Sequence, residues 1–266
     1  MISSTATERN DTDWFFSRIE SAKARVLVVD YDGTIAHFKT DRQRAFSYLV
    51  ILDLLRSIMT CCRTRVIVLS SKPAREIPAL LQIHPTPEIW GIYGIERLYP
   101  DGRYEEVHID DAALLTLAQA ENQLEQEGLG KYIEMKPAAV ALHWGGLPPD
   151  EIVRIKRKAA RILKPLAIWT GLVVRESPAG IELGLATANK SNALREMLSG
   201  LDRETPVAYL GNDEAGEDVF RVLGHRGLGV LISPKKRLSA AHLWLRPPDE
   251  LMIFLHQWGR ACGGLQ

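Results

Sequence analysis

Two carboxylates stand two residues apart in Asp30-Tyr31-Asp32-Gly33-Thr34, directly after the apolar run RVLVVD at 25–30. Carboxylates so placed can divide the work of phosphoryl transfer. One attacks phosphorus from a rigid strand end, and the other protonates the leaving oxygen. A carboxylate and a phosphate dianion repel each other, so this chemistry also calls for a divalent cation. Gly33 lets the chain turn sharply beside a ligand. An acidic turn at a strand end would carry the same letters without the chemistry. A second candidate is Ser70, which closes the apolar run RVIVLS at 65–70. At a strand-to-helix junction its hydroxyl and the nearby backbone N–H groups can bind phosphate oxygens. A plain helix cap would use the same residue.

The segment VLVVDYDGTI, residues 26–35, resembles the first motif of the haloacid dehalogenase phosphatases. The resemblance implies Asp30 as nucleophile, Asp32 as general acid and base, and Mg2+ as cofactor. Later motifs are similar to the trehalose-phosphatase branch. Ser70-Ser71-Lys72 stands where that branch usually reads Ser-Gly-Arg, which implies a phosphate-binding role for the three residues, with Lys72 keeping the charge. Lys190, after Asn189 at the start of NKSNALREML, matches the third motif, a Lys that neutralises the nucleophile and the transferring phosphoryl group. A solvated surface Lys is the plain alternative. YLGNDEAGEDVF, residues 209–220, resembles the fourth motif and matches it at Gly211, Asp213, Glu217, Asp218 and Phe220. Asn212 replaces the metal-binding Asp, and Ala215 and Gly216 replace Thr and Asp. The implied metal ligands are Asp30, Asp32, Asn212 and Asp213. A neutral Asn carbonyl binds magnesium less well than a carboxylate, unless Asp213 takes its place.

The resemblance continues outside the four motifs. IWGIYGIERLYPDGRY, residues 89–104, is similar to a Gly-x-His-Gly-x-Glu stretch, with Tyr93 at the His position and Gly94 and Glu96 matching. YIEMKPAAVALHWG, residues 132–145, resembles a Glu-x-Lys followed by His-Tyr-Arg, with Trp144 and Gly145 replacing Tyr and Arg. Gly180-Ile181-Glu182-Leu183 resembles a strand whose Glu also faces sugar. The resemblance thus implies that Glu134, Lys136, His143 and Glu182 bind substrate, with charged groups hydrogen-bonding its hydroxyls. By residue type alone these charges would suit a salt-bridged exposed sheet. The implied activity is magnesium-dependent hydrolysis of a disaccharide phosphate, foremost trehalose 6-phosphate, through an aspartyl-phosphate. Lys72, Tyr93 and Gly145 leave room for another sugar phosphate, of sucrose, glucosylglycerol or mannosylglycerate type. Asn212 leaves room for a catalytically weak module that senses a sugar phosphate.

Positioning these residues requires particular elements. Arg25–Asp30, Arg65–Ser70, Ile89–Tyr93, Pro206–Leu210 and Gly227–Ile232 read as buried strands. Helical patterns span Arg42–Met59, with Asp41 as a cap, then Glu214–Leu223 and Pro248–Arg260, and Pro73 suits a helix's first turn. Continuous apolar strands alternating with helices predict an α/β fold with a doubly wound, mostly parallel sheet. Such sheets bind ligands at the carboxyl ends of their strands. Between them lie a helix at Asp110–Glu127, strands at Tyr132–Lys136 and Ala138–Trp144, a helix at Pro149–Leu163, and strands at Leu172–Glu176 and Gly180–Leu183. That order predicts an α+β cap inserted at 109–183 into a core formed by 1–108 and 184–266.

Bulk properties narrow the partners. The 266 residues carry 33 basic and 33 acidic side chains, for a net charge of zero. Broad electrostatic capture of nucleic acid or of an anionic membrane is therefore not expected. The expected partner is a small sugar phosphate, and the sequence does not specify an oligomeric state. No apolar run approaches about 18 residues, so no membrane span is expected. Three cysteines without framework spacing, and an opening MISSTATERNDTD without an apolar stretch, suggest a cytoplasmic setting. Cys61 and Cys62 read as core packing, and the first dozen residues as poorly ordered.

Overall fold

The computed structural model describes residues 6–35, 45–168, 171–177, 180–212 and 214–264. The chain divides into two compact units, Met1–Glu106 with Asn189–Gln266, and Val107–Ala188.

The larger unit is built on one sheet. Its strands are β1 (Arg25–Asp30), β2 (Thr64–Leu69), β3 (Glu88–Gly91), β4 (Glu96–Leu98), β5 (Tyr104–Glu106), β10 (Val207–Gly211), β11 (Leu228–Ile232) and β12 (Leu243–Leu245). They lie in the order β12-β11-β10-β1-β2-β3-β4-β5. Pairing is parallel from β12 to β3 and antiparallel across β3-β4-β5. The chain winds outward from β1 in one direction and returns through β10 in the other, so the sheet's switch point lies at β1. Ligands of open α/β sheets bind beyond the carboxyl ends of strands at such a point, and Asp30 is the last residue of β1.

Alternate strand residues feed two cores, as the two-residue period of a strand dictates. Leu27, Val29, Val66, Val68, Ala208 and Leu210 pack with α1 (Ala6–Ser21), α2 (Ala45–Cys61) and α8 (Asp249–Ala261). Val26, Val28, Ile67, Leu69, Val207 and Tyr209 pack with α6 (Lys190–Ser199) and α7 (Glu214–Leu223). Burial on both faces explains why these strands read as unbroken apolar runs.

The opening segment departs from the expected poor order. From Ala6 it forms α1, because Phe15, Phe16 and Ile19 have a groove to fill. Phe15 meets Trp258 and Phe16 meets Phe254, with ring centroids 5.8 and 5.5 Å apart. Each such side chain contributes about 1.5–3 kcal/mol when buried. Pro73 does not open a helix. A turn follows Ser70, and α3 (Ile77–Leu81) starts later, with Pro78 in its first turn. The strand expected to reach Tyr93 stops at Gly91, because Ile92 and Tyr93 take left-handed backbone conformations, with φ of 47° and 54°. Cys61 is exposed, unlike its buried neighbour Cys62. Burial and the adjacent Cys262 push the Cys62 thiol up to about 12. The expected cap at Asp41 and the first turn from Arg42 lie outside the described residues.

The smaller unit runs from Val107 to Ala188. It contains α4 (Asp111–Gln126), β6 (Ile133–Lys136), β7 (Ala139–His143), α5 (Pro149–Leu166), β8 (Leu172–Ser177) and β9 (Gly180–Leu185). An antiparallel sheet in the order β6-β7-β9-β8 turns Val140, Leu142, Ile181 and Leu183 toward α4 and α5. The unit ends later than the expected 183 because β9 continues to Leu185. Among the described residues no helix is long and apolar enough to cross a membrane.

Candidate active site

Asp30 is fully buried at the end of β1, and its Oδ1 lies 3.0 Å from the Nζ of Lys190. Lys190 is the first residue of α6 and is itself 3% exposed. Asn189 caps that helix, its Oδ1 accepting from the Asn192 N–H and the Ser191 hydroxyl, both at 2.8 Å. A cation at a helix N-terminus opposes the helix dipole, and a buried cation must be paired. Asp30 supplies the pairing. Placing an ammonium at this position therefore has a local cost that the carboxylate offsets, a pattern common at functional sites.

Ser70 follows β2, whose register sets Leu69 beside Asp30. It is fully buried, and its Oγ accepts from the Lys72 N–H at 3.0 Å. Its own N–H donates to the Trp90 carbonyl at 3.0 Å, and its carbonyl accepts from the Tyr93 N–H at 2.9 Å. Ser71 and Lys72 are half-buried in the turn that follows. The Lys72 amide is thus engaged and Pro73 has none. No helix begins at this turn, so the row of helix-terminal N–H groups expected from sequence is not formed there.

Asn212 follows Gly211, and β10 pairs with β1 so that Val29 faces Leu210. Asp30 and Asn212 therefore leave neighbouring strand ends. Both offer hard oxygen donors, a set that fits Mg2+. Asp213 lies outside the described residues, as does the side chain of Asp32. Arg237, which sequence reasoning missed, donates to the Asn212 carbonyl at 3.3 Å and pairs with Glu217. Glu217 also accepts from the Ala240 N–H at 2.8 Å. Burial alone would raise the Glu217 carboxyl, but these donors and Ser239 together hold it below its ordinary range. Thr34 closes the DYDGT run of the first motif. It is fully buried, and its hydroxyl meets no partner among the described residues.

The four candidate substrate residues fall in the smaller unit. Pairing sets Glu134 beside Ala141, Ala141 beside Glu182, and Glu182 beside Arg175, so one row crosses the sheet. Lys136 and His143, each two residues from a member of that row, share its face. Lys136 pairs with Glu182 at 2.8 Å, and His143 with Glu134 at 2.5 Å. Arg175, also missed from sequence, stands 3.6 Å from Glu182 and donates to the Leu185 carbonyl at 2.8 Å. The structure thus gathers Asp30, Ser70, Lys190 and Asn212 in one unit, and Glu134, Lys136, His143 and Glu182 in the other.

The sequence profile of the trehalose-phosphatase family matches residues 28–243. A probable trehalose-phosphate phosphatase H of Arabidopsis thaliana is 24% identical over 264 residues, covering 90% of this chain and 73% of the relative. The trehalose-phosphate phosphatase of Mycobacterium tuberculosis is 27% identical over 255 residues. That match covers 90% of this chain but only 62% of the mycobacterial protein, so the chain spans less than two thirds of that relative. The solved Aspergillus fumigatus trehalose-6-phosphate phosphatase superposes with a TM-score of 0.73 at 19% identity, covering 95% of this chain and 97% of that one. The fold is the haloacid dehalogenase type, a mostly parallel α/β core with a further α+β unit. With most of its length matched from the strand that carries Asp30 onward, the chain belongs to the trehalose-phosphatase family of phosphoric monoester hydrolases.

Proposed function

We propose that this protein hydrolyses trehalose 6-phosphate to trehalose and phosphate, with Asp30 as nucleophile. The observation that carries this reading is the buried Asp30–Lys190 pair at the sheet's switch point. Lys190 sets a positive charge against the Asp30 carboxylate, and that charge remains beside the phosphoryl group during transfer. Asp30 attacks phosphorus and is phosphorylated as the bond between phosphorus and the sugar oxygen breaks. Asp32 gives a proton to the departing sugar oxygen, then takes one from the water that cleaves the aspartyl-phosphate. Ser70, Ser71 and Lys72 hold the phosphate oxygens. Asp30, Asp32, Asn212 and Asp213 would hold Mg2+, which when bound offsets the repulsion between carboxylate and phosphate. Glu134, Lys136, His143 and Glu182 read the sugar. Their mutual ion pairing supports this, because paired charges are already oriented for hydroxyl groups.

The test is phosphate release by the purified protein offered trehalose 6-phosphate and the phosphates of sucrose, glucosylglycerol and mannosylglycerate, with and without magnesium. Preference for trehalose 6-phosphate with magnesium supports the reading. Preference for another member of the panel reassigns the sugar. Binding without turnover favours a sensing module, the second reading that the neutral Asn212 motivates.

A further inference from the structure

The Gly91–Glu96 stretch belongs to a motif that the chemistry above leaves without a task. Glu96 opens β4 directly opposite Gly91 and is 8% exposed. Its Oε2 accepts from the Ala74 N–H at 2.6 Å. A neutral acceptor would satisfy one amide at lower desolvation cost, so a buried carboxylate here calls for a reason. The surroundings supply one. A Cβ on Gly91 would stand 2.3 Å from the Ala74 nitrogen and 2.8 Å from the Lys72 carbonyl oxygen, so the loop backbone is pressed against the strand. The Ile92 N–H donates to the Lys72 carbonyl at 3.0 Å, and the Tyr93 N–H to the Ser70 carbonyl at 2.9 Å. Both donors sit in left-handed conformations that side chains seldom adopt. On its other side the same turn meets α6. Gly94, with φ of 99°, leaves no room for a Cβ, which would lie 2.8 Å from the Ala193 Cβ. Arg97 stacks on Trp90 with 4.0 Å to the ring centroid and pairs with Glu196 of α6 at 2.5 Å.

We propose that Glu96 is a positioning residue for the phosphate loop, anchoring Ala74 so that Ser70, Ser71 and Lys72 stay in register with Lys190 across the Ile92–Gly94 turn. This rests on the phosphatase reading of the same site. Glu96 touches no reacting atom. Its charge points at an amide on the far side of the loop and acts through the loop's backbone, while Gly94 sets the turn's distance from the helix that begins with Lys190.

The experiment compares wild type, Glu96→Ala, Glu96→Gln and Gly94→Ala. It measures hydrolysis of p-nitrophenyl phosphate with magnesium, inhibition by inorganic phosphate, and thermal unfolding. Glu96→Ala is expected to raise KM for the ester and the inhibition constant for phosphate about tenfold, the size of one lost charged hydrogen bond. Glu96→Gln keeps an acceptor for Ala74 and should restore most of that loss. Gly94→Ala should lower kcat more than it raises KM, because it shifts the loop relative to Lys190. A lower Tm with unchanged KM and phosphate inhibition would reduce Glu96 to a structural role and overturn the proposal. If Glu96→Ala does not fold, Gly94→Ala carries the test, and wild-type constants in it overturn the proposal. A wild type without ester hydrolysis overturns the phosphatase reading instead. The positioning role is then judged by whether phosphate raises the Tm of wild type more than that of Glu96→Ala, and equal shifts overturn it.

Discussion

Asp30 and Lys190 are both buried and lie within ion-pairing distance, so each offsets the cost of burying the other's charge. Removing one partner of such a pair typically costs about 3–5 kcal/mol, whereas neutralising both costs far less. Lys190→Met should therefore lower the unfolding free energy by roughly that amount and abolish turnover. Asp30→Asn should abolish turnover with a smaller loss of stability, because its amide oxygen still accepts from the Lys190 ammonium, and the double variant should be more stable than Lys190→Met alone. Urea unfolding of the four proteins checks this, and equal stability of Lys190→Met and wild type would refute the pairing. Asn212 yields a second expectation. A carboxylate in its place would add charge to an oxygen donor set, so Asn212→Asp should lower the magnesium concentration for half-maximal activity. If Asp213 already serves as the ligand, Asp213→Asn should be the damaging change and Asn212→Asp nearly silent. A magnesium titration of all three forms decides between them, and identical curves would move the metal site elsewhere.

At the scale of elements, one face of the four-stranded sheet carries Glu134, Lys136, His143, Arg175 and Glu182 in two ion-paired groups. In one of them Glu182 is shared by Lys136 and Arg175. Glu182→Ala would leave two cations adjacent, while Glu134→Ala frees only an exposed His143. Both should weaken use of the disaccharide phosphate and barely change hydrolysis of a small generic ester, with Glu182→Ala the stronger. Parallel losses on both substrates would assign the row a structural role. Elements with a strong local signature were legible from sequence. The apolar runs ending at Asp30, Ser70 and Leu210 read as buried strands, which sets Asp30 and Ser70 at strand ends, whereas Lys190 is legible only through the family resemblance. Elements defined by distant partners were not legible. Helix α1 is polar along much of its length and is held by Phe15 and Phe16 meeting α8 late in the chain. Strands β4, β5 and β12 are three residues each and make sense only as additions to an existing sheet edge. Arg175 and Arg237 look like ordinary surface arginines until strand register or chain return brings Glu182 and Asn212 beside them.

At the scale of the whole molecule, the central strand is completed by a segment far along the chain. One edge of β1 is paired by β2 soon after it, but the other waits for Val207–Gly211, beyond the entire Val107–Ala188 unit. On the ribosome this becomes an interval of exposure. At ordinary elongation rates β1 spends on the order of ten seconds with one row of amides and carbonyls bare, and an unpaired edge of that kind invites association with other chains. The smaller unit, whose sheet and two long helices all lie between Val107 and Ala188, can fold during that wait. Nascent chains halted before Pro206 should therefore resist protease within 107–188 while β1 and β2 are still cut and still bind chaperones. Chains halted well beyond Ile232 should protect both. Protection of β1 before Val207 has emerged would contradict this order. The site around Asp30 is, on this account, among the last parts of the protein to exist, since it is assembled only when the returning strand closes the sheet.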